Sequence, residues 1–467
     1  MAIDRINIST VSDNTNTSTG ALDIPVGTTA QRPGSPTSGN LRFNTTLDAS
    51  EIYDGNAWVR VDKLVPTITS ITGNIYDGVA GSGLTVRGLN FLTAAGTFNF
   101  SDSANSVNEN VTVTPTSDVL MTVSVPAAVY NSSGAGSTVL VKFTNSEGTV
   151  GASFSMIVVG FPTGGTIVTS GNYRYHTFTS TSNFSTPAGW NNPVEYLIIA
   201  GGGGGGNDLA GAGGAGGLLN GTTGALSAGA SYPMVVGTGG AGGTGARGGS
   251  TSDGTNGVDS SGFSLTAIGG GKGGSYWDGG VTASRSAGGD GGSGGGGSGV
   301  GTSANPNPAP GGSGTVGQGN DGGDGLVYPS GGAQSYQGGA GGGAGGAGAA
   351  GAADGSGGTG GAGSSAYSTW GSATSTGENV SGTYWFAGGG GGGRYNYTGA
   401  GRADGGNGGG GRGGMGTGSA ADNLGENGTD GTGGGGGGGT WTGSAANTGG
   451  DGGDGIIIVR YNLTTLG

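Results

Sequence analysis

Val194-Glu195-Tyr196-Leu197-Ile198-Ile199-Ala200 runs straight into Gly201-Gly202-Gly203-Gly204-Gly205-Gly206. At the other end of the same tract, Gly455 runs into Ile456-Ile457-Ile458-Val459-Arg460-Tyr461. The chain of 467 residues carries 125 glycines, and most of them lie between these two apolar stretches. Glycine loses more conformational freedom on folding than any other residue, so such a tract is either disordered or ordered by an unusual device. A flexible, silk-like mass has no use for a β-branched strand at each end. Two strands able to pair would bring the ends together and close the tract into a domain.

Polyproline II geometry offers the device. It has three residues per turn, rises about 3.1 Å per residue and satisfies none of its own backbone hydrogen bonds. Neighbouring extended helices without Cβ atoms can approach closely and pair N–H with C=O between them. The runs at 201–206, 288–297, 338–347, 388–393, 405–414 and 433–439 suit that arrangement. Collagen is excluded, because the register is not strictly Gly-X-Y and proline is scarce. The expected fold class is mainly β plus polyglycine II, with little or no α-helix.

The net charge of −13 is spread over both the glycine tract and the first 200 residues. With no basic patch, nucleic acid is not an expected partner. No cysteine is present, which removes disulfides, thiol chemistry and Cys-based zinc sites. Met1-Ala2-Ile3-Asp4-Arg5 lacks an apolar signal core, and no window of about twenty apolar residues could span a bilayer. The expectation is a protein that is neither exported by a visible signal nor embedded in a membrane.

Residues 1–65 are rich in Thr, Asn and Ser, and Tyr53-Asp54-Gly55-Asn56-Ala57-Trp58-Val59 reads as a hairpin with Asp-Gly at its bend. Gly20 to Pro33, then Gly39-Asn40-Leu41-Arg42-Phe43-Asn44-Thr45, then Tyr53-Asp54-Gly55 and Trp58, resembles a module of bacteriophage tail-fibre and virion structural proteins. That resemblance implies an N-terminal segment, 1–65, that attaches to other virion tail or neck proteins.

Over residues 66–160, strand-like segments recur with Gly, Asn and Pro between them, the pattern of a β-sandwich. Pro66 to Ile71, Leu84 to Phe91, Val123-Ser124-Val125-Pro126 and Val141 to Gly148 resemble IPT/TIG immunoglobulin-like domains. The resemblance implies a spacer. Tyr175-His176-Thr177-Phe178-Thr179, the two apolar strands and Gly201 to Gly206 resemble the C-terminal glycine-rich domain of phage tail proteins. Related phage adhesins build sandwiches of polyglycine II helices and bind bacterial receptors through connecting loops. The resemblance therefore implies that residues 161–467 recognise a host polysaccharide or outer-membrane protein, from a homotrimeric fibre on the virion.

Catalytic chemistry finds little footing. His176 is the sole histidine, too few for the usual metal pair, and no Ser/His/Asp arrangement surrounds it. Gly-X-Gly-X-X-Gly matches arise by chance in such a tract, and Gly271-Lys272 lacks the hydroxyl residue of a P-loop. Gln318 to Leu326 is one partial copy of a calcium-binding nonapeptide that works only in stacks. Asp321/Asp324 and Asp451/Asp454 could form a glycosidase dyad, but no apolar pocket is legible beside them, and a solubilising role is the simpler reading. No enzyme activity and no cofactor are expected.

The aromatic residues of the tract fall in its less glycine-rich segments, the connecting loops of a bundle. Tyr276, Trp277, Tyr328, Tyr336, Tyr367, Trp370, Tyr384, Trp385, Tyr395, Tyr397 and Trp441, with Asn, Asp and Arg neighbours, suit recognition of sugars or peptide loops. The competing reading makes them caps on the bundle ends or seals between subunits. The expected function is a non-catalytic tail fibre or adhesin. An ice- or surface-binding polyglycine protein and a tail-spike polysaccharide depolymerase are the alternatives.

Overall fold

The structure, a computed structural model, describes residues 24–61, 64–79, 83–102, 107–245, 253–276, 283–299, 309–330, 333–353, 355–395, 401–416, 422–441 and 448–466. The chain divides into two compact units, residues 1–158 and 159–466. Among the described residues it is mainly β, and the helices Ala127–Ser132, Ala283–Ser286 and Ser368–Thr374 are short. None is long and apolar enough to cross a membrane.

In the first unit, Val26–Gly27 pairs in parallel with Leu41–Asn44, and Ala49–Tyr53 and Trp58–Arg60 follow antiparallel. The expected hairpin bend is present: the Asp54 carboxylate accepts the N–H groups of Asn56 and Ala57 at 2.8 Å. A polar core holds this small sheet. Glu51, fully buried, pairs with the Arg32 guanidinium at 2.5 Å and accepts from Asn44 Nδ2 at 3.1 Å, with Arg42 at 3.5 Å. Pairing with Arg32 holds the Glu51 carboxyl below its ordinary pKa. Thus Arg32, Arg42 and Asn44 act together as a clamp on one carboxylate.

The next segment is a sandwich. One sheet orders Leu120–Val123, Leu84–Leu89 and Thr67–Thr72, and the other Ile75–Tyr76, Phe154–Val159, Thr138–Thr144, Gly96–Asp102 and Asn108–Val113. Alternate residues of both face one core, with Leu84, Val86, Met121 and Val123 opposed to Phe98, Phe100, Val141 and Phe143.

The second unit begins as a collar. Thr166–Ser170, Tyr173–Phe178, Ile456–Asn462, Glu195–Ile199 and Leu218–Thr222 form one antiparallel sheet in that order. The two strands that bracket the glycine tract are neighbours, with Ile199 opposite Ile456, so the tract is closed as its ends imply.

From the collar the chain runs out and back as glycine helices. Residues 201–206 show the rule. Gly201 and Gly204 donate to Val258 and Thr255, Gly202 and Gly205 to Gly453 and Gly450, and Gly203 and Gly206 to Gly214 and Gly211. Every third N–H thus points at the same neighbour, as a three-residue turn requires. Their carbonyls accept from three further helices, through Gly240 and Gly243, Gly270 and Gly273, and Gly436 and Gly439. The central helix has six neighbours, and its hydrogen bonds run between helices. Side chains are excluded by contact: a Cβ on Gly203 would lie 2.2 Å from the Gly271 oxygen, and one on Gly205 2.0 Å from that of Gly437.

The paired aspartates have a structural task that the solubility reading underrates. Asp451 and Asp454 accept the N–H groups of Gly242 and Gly239 at 2.7 and 2.8 Å, and Asp321 and Asp324 accept those of Gly314 and Gly311. A spacing of three puts both carboxylates on one side of a three-fold helix, where they cap donors of the next helix. Asn256 and Asp259 repeat the device toward Lys272 and Gly269.

Candidate functional site

Because the helices alternate in direction, the loops gather at two ends, and the aromatic candidates divide between them. Four belong to the collar end. Ser368–Thr374 carries Trp370, and the hairpin of Glu378–Val380 with Thr383–Trp385 carries Tyr384 and Trp385. Trp370 is 5% exposed within a cluster of Tyr175, Ile199, Phe386 and Ile456. Arg460, paired with Glu195 at 2.7 Å, lies 4.2 Å from the Trp370 ring and 4.1 Å from that of Tyr173. Tyr367 packs edge-on to Trp370 at 5.7 Å. Trp370 therefore caps the junction of collar and bundle, where the glycine helices contribute only small alanine side chains such as Ala215 and Ala344 to the apolar cluster.

The other end is different. Leu326–Ser330, Ala333–Gln337 and Arg394–Tyr395 form a three-stranded sheet there, with Tyr336 opposite Tyr395. The two rings stack at 6.4 Å, and Trp441 extends the row at 5.0 Å from Tyr395. All three are half-buried. The row is held from beneath by polar contacts: Ser335 Oγ donates to the Tyr395 carbonyl at 3.0 Å, and Gln337 Nε2 donates to Ser335 Oγ at 2.6 Å. Thr440 Oγ1 donates to the Arg394 carbonyl at 2.5 Å.

Tyr276 lies at this end as well, its N–H shared between the carbonyls of Asn207 and Asp208. Tyr328 occupies the strand opposite Ser335. Trp277 and Tyr397 fall outside the described residues. Arg394, which the sequence suggests as an exposed polar neighbour of Tyr395, is instead 1% exposed, and its Nε and Nη1 have no hydrogen-bond partner. Burial lowers its pKa from the ordinary guanidinium value.

His176 is buried in the collar, with Nδ1 donating to the Gly164 carbonyl at 2.8 Å and its ring edge-on to Phe184 at 5.0 Å. Desolvation depresses its pKa to about 4. No group of metal-ligating side chains occurs among the described residues. What the far end offers is a row of rings on a small sheet, suited to stacking and hydrogen bonding.

A family model of a glycine-rich domain matches residues 177–462, which span most of the collar and the whole glycine tract. No curated protein matches the chain.

Proposed function

The chain belongs to the glycine-rich domain family, and from that premise we propose that it is a non-catalytic tail fibre or adhesin of a bacteriophage. In this reading residues 1–65 attach it to other virion proteins, 66–160 act as a spacer, and the glycine-rich domain meets the host surface from a homotrimer. The observation that carries the reading is the aromatic row Tyr336, Tyr395 and Trp441 at the end of the bundle away from the collar. The helices present almost no side chains and direct their hydrogen bonds to one another, so specificity has to reside in such loops. The tail-fibre-like segment within 20–58, with its clamp on Glu51, supports the virion assignment.

The receptor is a surface polysaccharide or an outer-membrane protein. Ring faces provide contact area at small entropic cost, and repetition in a trimer raises weak contacts by avidity. Immunogold labelling of intact particles should mark the tail, and purified full-length protein should compete with particles for adsorption to host cells. Tyr395→Ala should weaken that competition at least tenfold. Absence of label from the virion, or full competition by the variant, would sink the proposal.

A further inference from the structure

Beside the collar lies a cleft of about 670 Å³ that the receptor-binding reading does not use. It sits where Leu218–Thr222 meets the small hairpin of Ser260–Gly262 and Leu265–Ala267. That volume is within the range of small-molecule sites.

Its lining is unusual for this chain. Tyr196, Tyr232 and Phe263 supply three rings, with Phe263 at the centre, 6.2 Å from Tyr196 and 5.5 Å from Tyr232. Between and around the rings stand hydroxyls, those of Thr222, Ser261 and Ser264 among them, and no side chain of the lining is charged. The Tyr232 hydroxyl accepts from the Ser227 N–H at 2.9 Å, which fixes that ring. The hydroxyls of Tyr196, Thr222, Ser261 and Ser264 make no hydrogen bond to other described residues.

The turn that presents Phe263 is held against local preference. Phe263 and Ser264 both adopt left-handed backbone, φ 54° and 62°, in a two-residue hairpin turn. Such a turn ordinarily takes Asn-Gly, and a bulky residue there is an outlier. The ring is retained where glycine would fit the backbone better. It is braced edge-on by Phe184 at 6.0 Å, from a strand that belongs to a different sheet.

From these observations we infer that the cleft binds a neutral saccharide. Pyranose rings present an apolar C–H face that packs on aromatic rings and an edge of hydroxyls that exchange hydrogen bonds with Ser, Thr and Tyr. An anionic ligand would find no cation in the lining, and a purely apolar one would leave the hydroxyls unmatched once water is displaced. The inference goes beyond receptor recognition at the far end and stands independently of the virion assignment.

The test is saturation-transfer-difference NMR on the full chain with glucose, galactose, N-acetylglucosamine, lactose and maltose, and with N-acetylneuraminic acid as an anionic control. Transfer to ring protons of at least one neutral sugar is expected, with none to the control. Phe263→Gly, which suits the backbone and deletes the central ring, should reduce transfer at least tenfold while leaving the melting temperature of the wild type in place. Should that variant fold poorly, Thr222→Trp at an exposed wall position fills the cleft and should give the same loss. No transfer from any neutral sugar, transfer to the anionic control alone, or transfer unchanged by an obstructed cleft would overturn the proposal.

Discussion

Burial of the His176 imidazole, with its pKa at about 4, makes the collar sensitive to acid. The folded-state value lies below the ordinary 6.5, so the unfolded chain binds the proton more readily than the native one. The histidine's contribution to stability is therefore full above pH 6.5, declines as the pH falls from 6.5 toward 4, and changes no further below 4, where both states carry the proton. The depression corresponds to roughly 3 kcal/mol across that window. Urea melts at pH 7.5 and 4.5 should differ by about that amount more in the wild type than in His176→Gln, which cannot titrate. A variant with the same pH slope would place the effect elsewhere. The sequence excludes a paired-metal role for this residue but is silent on burial, because burial depends on Phe184 and Tyr461 closing over it from separate strands. Glycine gives the complementary case. In Gly203→Ala the new Cβ meets the Gly271 backbone oxygen at 2.2 Å, and neither helix can yield without breaking its own ladder. A loss of about 3 kcal/mol or more is expected, whereas Gly224→Ala, whose Cβ would meet open space, should stay within about 0.5 kcal/mol. Equal melting temperatures for the two would refute the close-packed bundle.

At the scale of elements, the helices at the bundle's edge lack neighbours for some of their donors, and aspartate or asparagine fills the gap. Asp454→Ala removes the acceptor of the Gly239 N–H, and a cost of about 1–2 kcal/mol is expected. Asp454→Asn keeps an oxygen at that position and should recover most of it. If both variants melt alike, the charge rather than the cap carries the effect. The spacing of three in Asp321/Asp324 and Asp451/Asp454 is visible in the sequence, yet reads there as surface charge. Its meaning emerges only when the partner helix is known. The bracketing strands were legible for the opposite reason, since a β-branched run at each end of a glycine tract has one economical use, pairing with the other. Which helix neighbours which is not written in the runs themselves, because glycine carries no side-chain pattern to distinguish one face from another.

For the whole molecule, the alternation of helix direction sorts side chains by the end at which they emerge. Sequence places every aromatic segment in a loop and cannot say at which end, so Trp370 and Trp441 look equivalent in it. In the structure they are opposites: Trp370 lies in the apolar cluster against Tyr175 and Arg460, and Trp441 continues the row of Tyr336 and Tyr395. Trp370→Ala opens a cavity beneath the collar and leaves Arg460 without one of its two closest rings, for an expected loss of about 3–5 kcal/mol. Trp441→Ala removes a half-buried ring from the margin of the domain and should cost about 1 kcal/mol or less. Binding should run in the reverse order. At a temperature where both variants are folded, adsorption to host cells should survive Trp370→Ala and fall severalfold in Trp441→Ala. The two measurements together separate support from recognition. A binding loss that tracked melting temperature across both variants would mean that the aromatic row, too, is part of the scaffold.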